Sequence, residues 1–133
     1  MAREIPLYTL DGVVDAEVTQ HGFCTEDGLG LSLLRFRRGQ GRMAVMIVHG
    51  LTTSSDMFIQ PEHRNLVSFL LDEGVDEVWT LDFRMSNRHP YNLQPNRYSM
   101  DDCALFDFPA AVAKIRQVAG DDVELHVIAH CLG

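Results

Sequence analysis

Met43-Ala44-Val45-Met46-Ile47-Val48 is an unbroken apolar run, bounded upstream by Gly41 and downstream by His49-Gly50. A strand with one wet face alternates apolar and polar residues, whereas a continuous run marks a strand covered on both faces. Such strands belong to parallel sheets flanked by helices. Two further runs read the same way, at 77–83 (Glu-Val-Trp-Thr-Leu-Asp-Phe) and at 123–129, ending in Ala129. Between the first two, Pro61 to Glu73 places Leu66, Phe69 and Leu70 at helical spacing, with Pro61 suited to a first turn and Gly74 to a stop. Between the second pair, Leu105, Phe108, Val112, Ile115 and Ala119 form a helical stripe that closes at Gly120. Pro109 falls inside it, so the helix either begins near Pro109 or kinks there. Strand, helix, strand, helix, strand, with right-handed crossovers, predicts an α/β fold around a mostly parallel sheet.

Upstream of this core, residues 13–22 and 31–37 read as two short strands around the turn sequence Glu26-Asp27-Gly28-Leu29-Gly30. They are expected to form an antiparallel N-terminal edge. The division is therefore antiparallel strands at about 13–37 and a β/α core at 43–133, together one partial domain over residues 1–133. Residues 84–100 have no period and make a connection longer than a compact domain usually carries, which marks them as functional or disordered. Met85, Tyr91, Leu93 and Tyr98 in that stretch are candidates to line an apolar substrate pocket.

Composition narrows the function classes. The chain has 133 residues, 46% of them hydrophobic, and a formal net charge of −8. Arg35, Arg37, Arg38 and Arg42 form the one basic cluster, too thin a footprint for binding nucleic acid. Cys24, Cys103 and Cys131 are widely spaced and offer neither a CxxC pair nor a zinc pattern, so no metal is expected. No glycine fingerprint of the Gly-x-Gly-x-x-Gly type follows a strand, so no flavin or nicotinamide cofactor is expected either. Met1 to Asp11 lacks the apolar stretch of a secretory signal, and the longest apolar run is far too short to span a bilayer. A cytoplasmic protein without a membrane span is the expectation.

In open α/β sheets the chemistry gathers at the carboxyl ends of the strands. The last strand ends Ala129-His130-Cys131-Leu132-Gly133, the small–x–nucleophile–x–Gly spacing of a nucleophile elbow. That turn is sharp and tolerates little bulk beside the nucleophile. A thiol at Cys131 would meet the backbone N–H of Leu132 as one oxyanion donor. The first apolar strand ends in His49-Gly50, where the second donor belongs, and that donor would be the N–H of Leu51. Taken alone, Cys131 also fits a small buried hydrophobe at a strand end, and His49-Gly50 fits a glycine turn beside a satisfied histidine. Asp82 and Arg84, at the end of the middle strand, are expected to pair or to bond the backbone and fix the loop. Asp101, Asp102, Asp121 and Asp122 stand where caps and turns favour aspartate.

With these residues in view, the chain resembles the N-terminal half of an α/β-hydrolase-fold protein over about residues 14–133. Val48 to Phe58 resembles the His-Gly oxyanion loop of acid lipases. Trp79 to Arg84 resembles their strand and following Asp-x-Arg turn, and Asp107 to Ala111 the start of the helix leading into the elbow strand. The His-Cys-x-Gly elbow is similar to that of the hydrolase module associated with glucose–methanol–choline (cholesterol-oxidase-like) flavoproteins. Polyhydroxyalkanoate synthases and dienelactone hydrolases also carry Cys at this place. The resemblance implies Cys131 as catalytic nucleophile, an oxyanion hole from Leu51 and Leu132, and His49, Gly50, His130 and Gly133 as supporting motif residues. It implies a small apolar ester or thioester substrate, no cofactor, and a flavoprotein oxidoreductase as partner. A thioester polymerase is the alternative chemistry.

The same resemblance puts the catalytic acid and histidine on strands after the nucleophile, beyond Gly133, and no histidine of this chain matches that position. The chain is thus expected to be truncated after the elbow strand. Alone it would be an inactive fragment or a binding half-domain, with its last strand uncovered and prone to association.

Overall fold

The computed structural model describes residues 10, 12–51, 53–89, 96–131 and 133. β1 (Glu17–Cys24) and β2 (Gly30–Arg37) form an antiparallel hairpin. Its turn is closed by Thr25 N–H to Leu29 O at 2.8 Å and Gly28 N–H to Thr25 O at 3.0 Å. Gly28 takes a φ of +94°, which a side chain would resist. β1 starts later than residue 13, although Val14, Ala16 and Val18 alternate. Asp15 adopts a positive φ of 57°, a conformation outside any strand, and breaks the pattern before Glu17.

β3 (Met43–Val48), β4 (Glu77–Asp82) and β5 (Glu124–Ala129) are the three apolar runs, each found within a residue of its expected limits. The sheet order is β1-β2-β4-β3-β5. β4 joins the two halves, antiparallel to β2 and parallel to β3, and β3 has β5 as its other parallel neighbour. Successive side chains of a strand face opposite ways, and the two faces carry two cores. Ala44, Met46 and Val48 of β3 pack with Trp79 and Leu81 of β4 and with Ala111 and Ile115 of the last helix. Val45, Ile47 and Val78 pack on the other side with Phe58, Ile59, Val67 and Leu71. This two-sided cover explains why the β3 and β4 runs show no alternation.

The helices differ from the expected limits for local reasons. α1 spans Leu66–Asp72 and is capped by the Asn65 side chain, which accepts the Ser68 N–H at 2.9 Å. Pro61 and Glu62 form a turn ahead of that cap, so the helix begins five residues after Pro61. A short 3₁₀ turn, Ser55–Phe58, fills the connection after β3. The second crossover helix starts at Met100, upstream of the expected stripe, with a capping box between Ser99 and Asp102. It runs as α2 (Met100–Asp102), a π turn (Cys103–Asp107) and α3 (Phe108–Ala119). Pro109 has no N–H to donate, and the helix passes through a wide π turn just before it and continues as α3.

β5 is one edge of the sheet, opposite β1, and Val127 and Ile128, which point to opposite faces, are 53% and 38% exposed. Among the described residues, no helix is long and apolar enough to cross a membrane.

Candidate active site

The β3–β5 register pairs Val48 with Ala129, so the two strands end level with each other. His130 N–H donates to Val48 O at 3.0 Å and extends the pairing one residue beyond β5. There the chain turns sharply. Cys131 has a φ of 60°, in the left-handed region that costs a non-glycine residue about 1–2 kcal/mol. Gly133 closes the turn by donating its N–H to His130 O at 3.0 Å. A side chain at 133 would place its Cβ 2.7 Å from Val48 O and 2.8 Å from His49 O, both rigid backbone atoms, so only glycine fits. A Cβ on Gly50 would lie 2.9 Å from the Cβ of Cys131. The two glycines thus let the strand ends meet closely, and Cys131 sits exposed directly against Gly50. Leu51 follows Gly50 on the surface, while Leu132 lies outside the described residues.

The loop after β3 is held from beneath. His49 is fully buried, and its Nδ1–H donates to the carbonyl of Gly50 at 2.7 Å. Its ring lies over Phe83 at 4.5 Å between centroids and 25° between planes. Burial lowers the pKa of His49 and favours its neutral form. Nε2 has no hydrogen-bond partner among the described residues and stands 3.8 Å from Asp82 Oδ1. Thr53 Oγ–H also donates to Gly50 O, at 2.9 Å.

Asp82 anchors the far side of the loop. It accepts the N–H of Ser55 at 3.0 Å, the Ser55 hydroxyl at 2.8 Å and the Ser86 hydroxyl at 2.9 Å. Asp82 therefore bonds the backbone, as expected, but it does not pair with Arg84. Neighbouring residues of an extended strand point to opposite faces while residues two apart share one, so the separation arises at the turn that follows β4. Arg84 turns instead into a buried pair with Asp107, 2.7 Å from Nη2 to Oδ1, and reaches Asp27 of the hairpin turn at 2.9 Å. Burial alone would lower the Arg84 pKa, but the hydrogen bonds and charges of Asp107 and Asp27 outweigh it and raise it. The Asp27 carboxyl is drawn down to about 2 by the Arg84 hydrogen bond first and by Thr25 second. Burial pushes the neighbouring Cys103 thiol up to about 11, which leaves it an inert core group.

Of the residues proposed to line a pocket, Met85 packs against the core and Tyr98 lies under the Arg84 guanidinium at 5.1 Å. Tyr91 and Leu93 fall outside the described residues. A groove of about 690 Å³ does run between the hairpin end and α3, past Phe23, Cys24, Leu105 and Pro109, but none of the elbow residues lines it. Asp107, Thr53 and the two serines on Asp82 were not identified as site residues from sequence. Each meets its partner from a different element, and no spacing rule links Ser55 to Asp82 or Arg84 to Asp107.

No protein-family model matches the chain. Over 128 residues it is 29% identical to lipase member K of Mus musculus, an alignment covering 86% of this chain and 32% of the relative. It is 30% identical over 125 residues to lipase lipl-1 of Caenorhabditis elegans, covering 82% of this chain and 30% of that protein. The chain thus spans about a third of the length of these curated relatives. Among solved structures, the esterase Pf2001 of Pyrococcus furiosus superposes on 98% of this chain and 46% of its own, with a TM-score of 0.72 at 23% identity. The chain has the α/β-hydrolase fold over the strands from the antiparallel hairpin to the elbow.

Proposed function

We propose that this chain is the nucleophile-bearing part of an ester hydrolase, with Cys131 as the attacking group. The observation that carries the reading is the left-handed φ of 60° at Cys131, beyond the end of β5 and directly against Gly50. A strained non-glycine residue with an exposed thiol, its Cβ beside a loop that ends a parallel strand, matches the geometry of a nucleophile elbow. The lipase and esterase relatives favour a carboxylic ester as substrate. The thioester-polymerase alternative and a flavoprotein partner rest on sequence resemblance alone.

In the reaction, the sulfur of Cys131 bonds to the ester carbonyl carbon and gives its proton to a base. The carbonyl oxygen becomes an oxyanion held by the N–H groups of Leu51 and Leu132. Collapse breaks the carbon–oxygen bond, the alcohol leaves with that proton, and water later cleaves the thioester. In this fold the histidine that serves as base, and its acid, follow the nucleophile in sequence.

The test is intact-mass analysis, on rapid quenching, of the protein extended through its catalytic histidine and acid, after exposure to p-nitrophenyl butyrate. A single butyryl adduct is expected, kept in Cys24→Ala and lost in Cys131→Ala. An adduct that survives Cys131→Ala overturns the assignment.

A further inference from the structure

The Leu51 amide that would receive the oxyanion shares a peptide unit with the Gly50 carbonyl, and that carbonyl is gripped twice. His49 Nδ1–H donates to it at 2.7 Å and Thr53 Oγ–H at 2.9 Å. A trans peptide is planar, with its C=O and N–H pointing in opposite directions, and no described bond is cis. Holding the oxygen therefore sets the direction of the Leu51 N–H.

We propose that His49 and Thr53 are positioning residues that aim the Leu51 N–H at the oxyanion formed on Cys131, with Asp82 fixing the loop that carries them. This rests on the acyl-transfer reading above. The two residues reach the carbonyl by different routes. His49 directly follows β3, and its ring stacks on Phe83. Thr53 is held through its own carbonyl, which accepts the N–H of Asn87 at 3.0 Å. Asn87 follows Ser86, whose hydroxyl is on Asp82, and Ser55 is bound to Asp82 through both N–H and hydroxyl. One carboxylate at the end of β4 thus ties the oxyanion loop to the 86–89 turn.

The grip also fixes the His49 tautomer. A carbonyl only accepts, so the proton is on Nδ1 and Nε2 carries a lone pair. That lone pair faces Asp82 Oδ1 at 3.8 Å and cannot donate to it, which accounts for an unpartnered nitrogen at a fully buried position.

The experiment compares two reactions of Cys131 in Thr53→Val and Thr53→Ser. Acylation by p-nitrophenyl butyrate passes through an oxyanion, while alkylation by iodoacetamide does not. Loss of an oxyanion donor costs about 10²–10³ in rate, and a donor misaimed but still present is expected to cost about tenfold. Thr53→Val should therefore slow acylation about tenfold with alkylation within about twofold of wild type, and Thr53→Ser should restore both. Unchanged acylation in Thr53→Val, or acylation and alkylation falling together, overturns the proposal. Acylation that survives Cys131→Ala overturns the functional reading and this proposal with it, and is distinguishable because it shows in the control. Ring ¹⁵N resonances give a readout independent of reactivity. His49 protonated at Nδ1 supports the assignment, and protonation at Nε2 overturns it.

Discussion

Replacing Asp107 with alanine would strand a guanidinium in the protein interior. The side chains of Arg84 and Asp107 are both fully buried. Asp107 accepts from the Arg84 backbone N–H at 2.9 Å, from Nε at 2.9 Å and from Nη2 at 2.7 Å. Removing one partner of a buried pair costs about 3–5 kcal/mol, and a backbone donor left without its acceptor adds about 1–3 kcal/mol. Asp27 stays in place, 2.9 and 3.0 Å from the two terminal nitrogens, and offsets part of this. The net expectation is a loss of about 3–4 kcal/mol, a large share of the 5–15 kcal/mol typical of a small domain. Trp79 is the chain's one tryptophan and is fully buried, so its fluorescence reports urea unfolding directly. The double variant Arg84→Met with Asp107→Leu removes both charges and should recover most of the loss, since apolar replacement of a buried pair is often neutral. An Asp107→Ala protein within about 1 kcal/mol of wild type, or a double variant as unstable as the single one, would refute this account of the pair.

Two further outcomes follow from geometry already described. In Gly50→Ala the new Cβ would sit 2.9 Å from Cys131 Cβ, about half an ångström short of ordinary contact, and must push the loop and elbow apart. Since a 1 Å misplacement can cost about 10²-fold, acylation of Cys131 should fall about tenfold while iodoacetamide still reacts; equal acylation rates would count against the elbow contact. Asp27 has its pKa drawn down to about 2 from an unfolded value near 3.9. Its contribution to stability is therefore present above about pH 4 and disappears as pH falls toward about 2. The urea midpoint of wild type should exceed that of Asp27→Asn near neutrality, with the gap closing between those two pH values. A gap independent of pH would show that the carboxylate charge is not what Arg84 uses.

The parts of this fold that could be read from sequence are those set by one element at a time. β3 matches its apolar run because Gly41 and His49-Gly50 bound it and both its faces are covered. The sharp turn at Cys131 was legible because its requirement for small neighbours is local, and Gly133 shows why, pressed against two backbone carbonyls. Misreadings arose where a feature depends on something outside the pattern. Asp15 ends an alternation that Val14 and Val18 would continue, and the π turn before Pro109 conceals a helix that starts at Met100. The support of the oxyanion loop was legible only at Asp82, expected at its strand end to bond the backbone and fix the loop. Thr53, Ser55 and Ser86 look like ordinary loop residues until β3 and β4 lie side by side.

The pairing of β3 with β5 sets a schedule for building the site. Residue 43 lies opposite residue 124, with both crossovers and all of β4 intervening. Neither half of the site holds the other locally, so the loop and the thiol meet only when a long stretch of chain closes on itself, a step that is entropically costly and slow. During synthesis β3 is exposed to the cell before β5 exists, and one of its edges waits unpaired for the elbow strand. The turn at Cys131 therefore meets Gly50 only after β3, β4 and β5 have all been made.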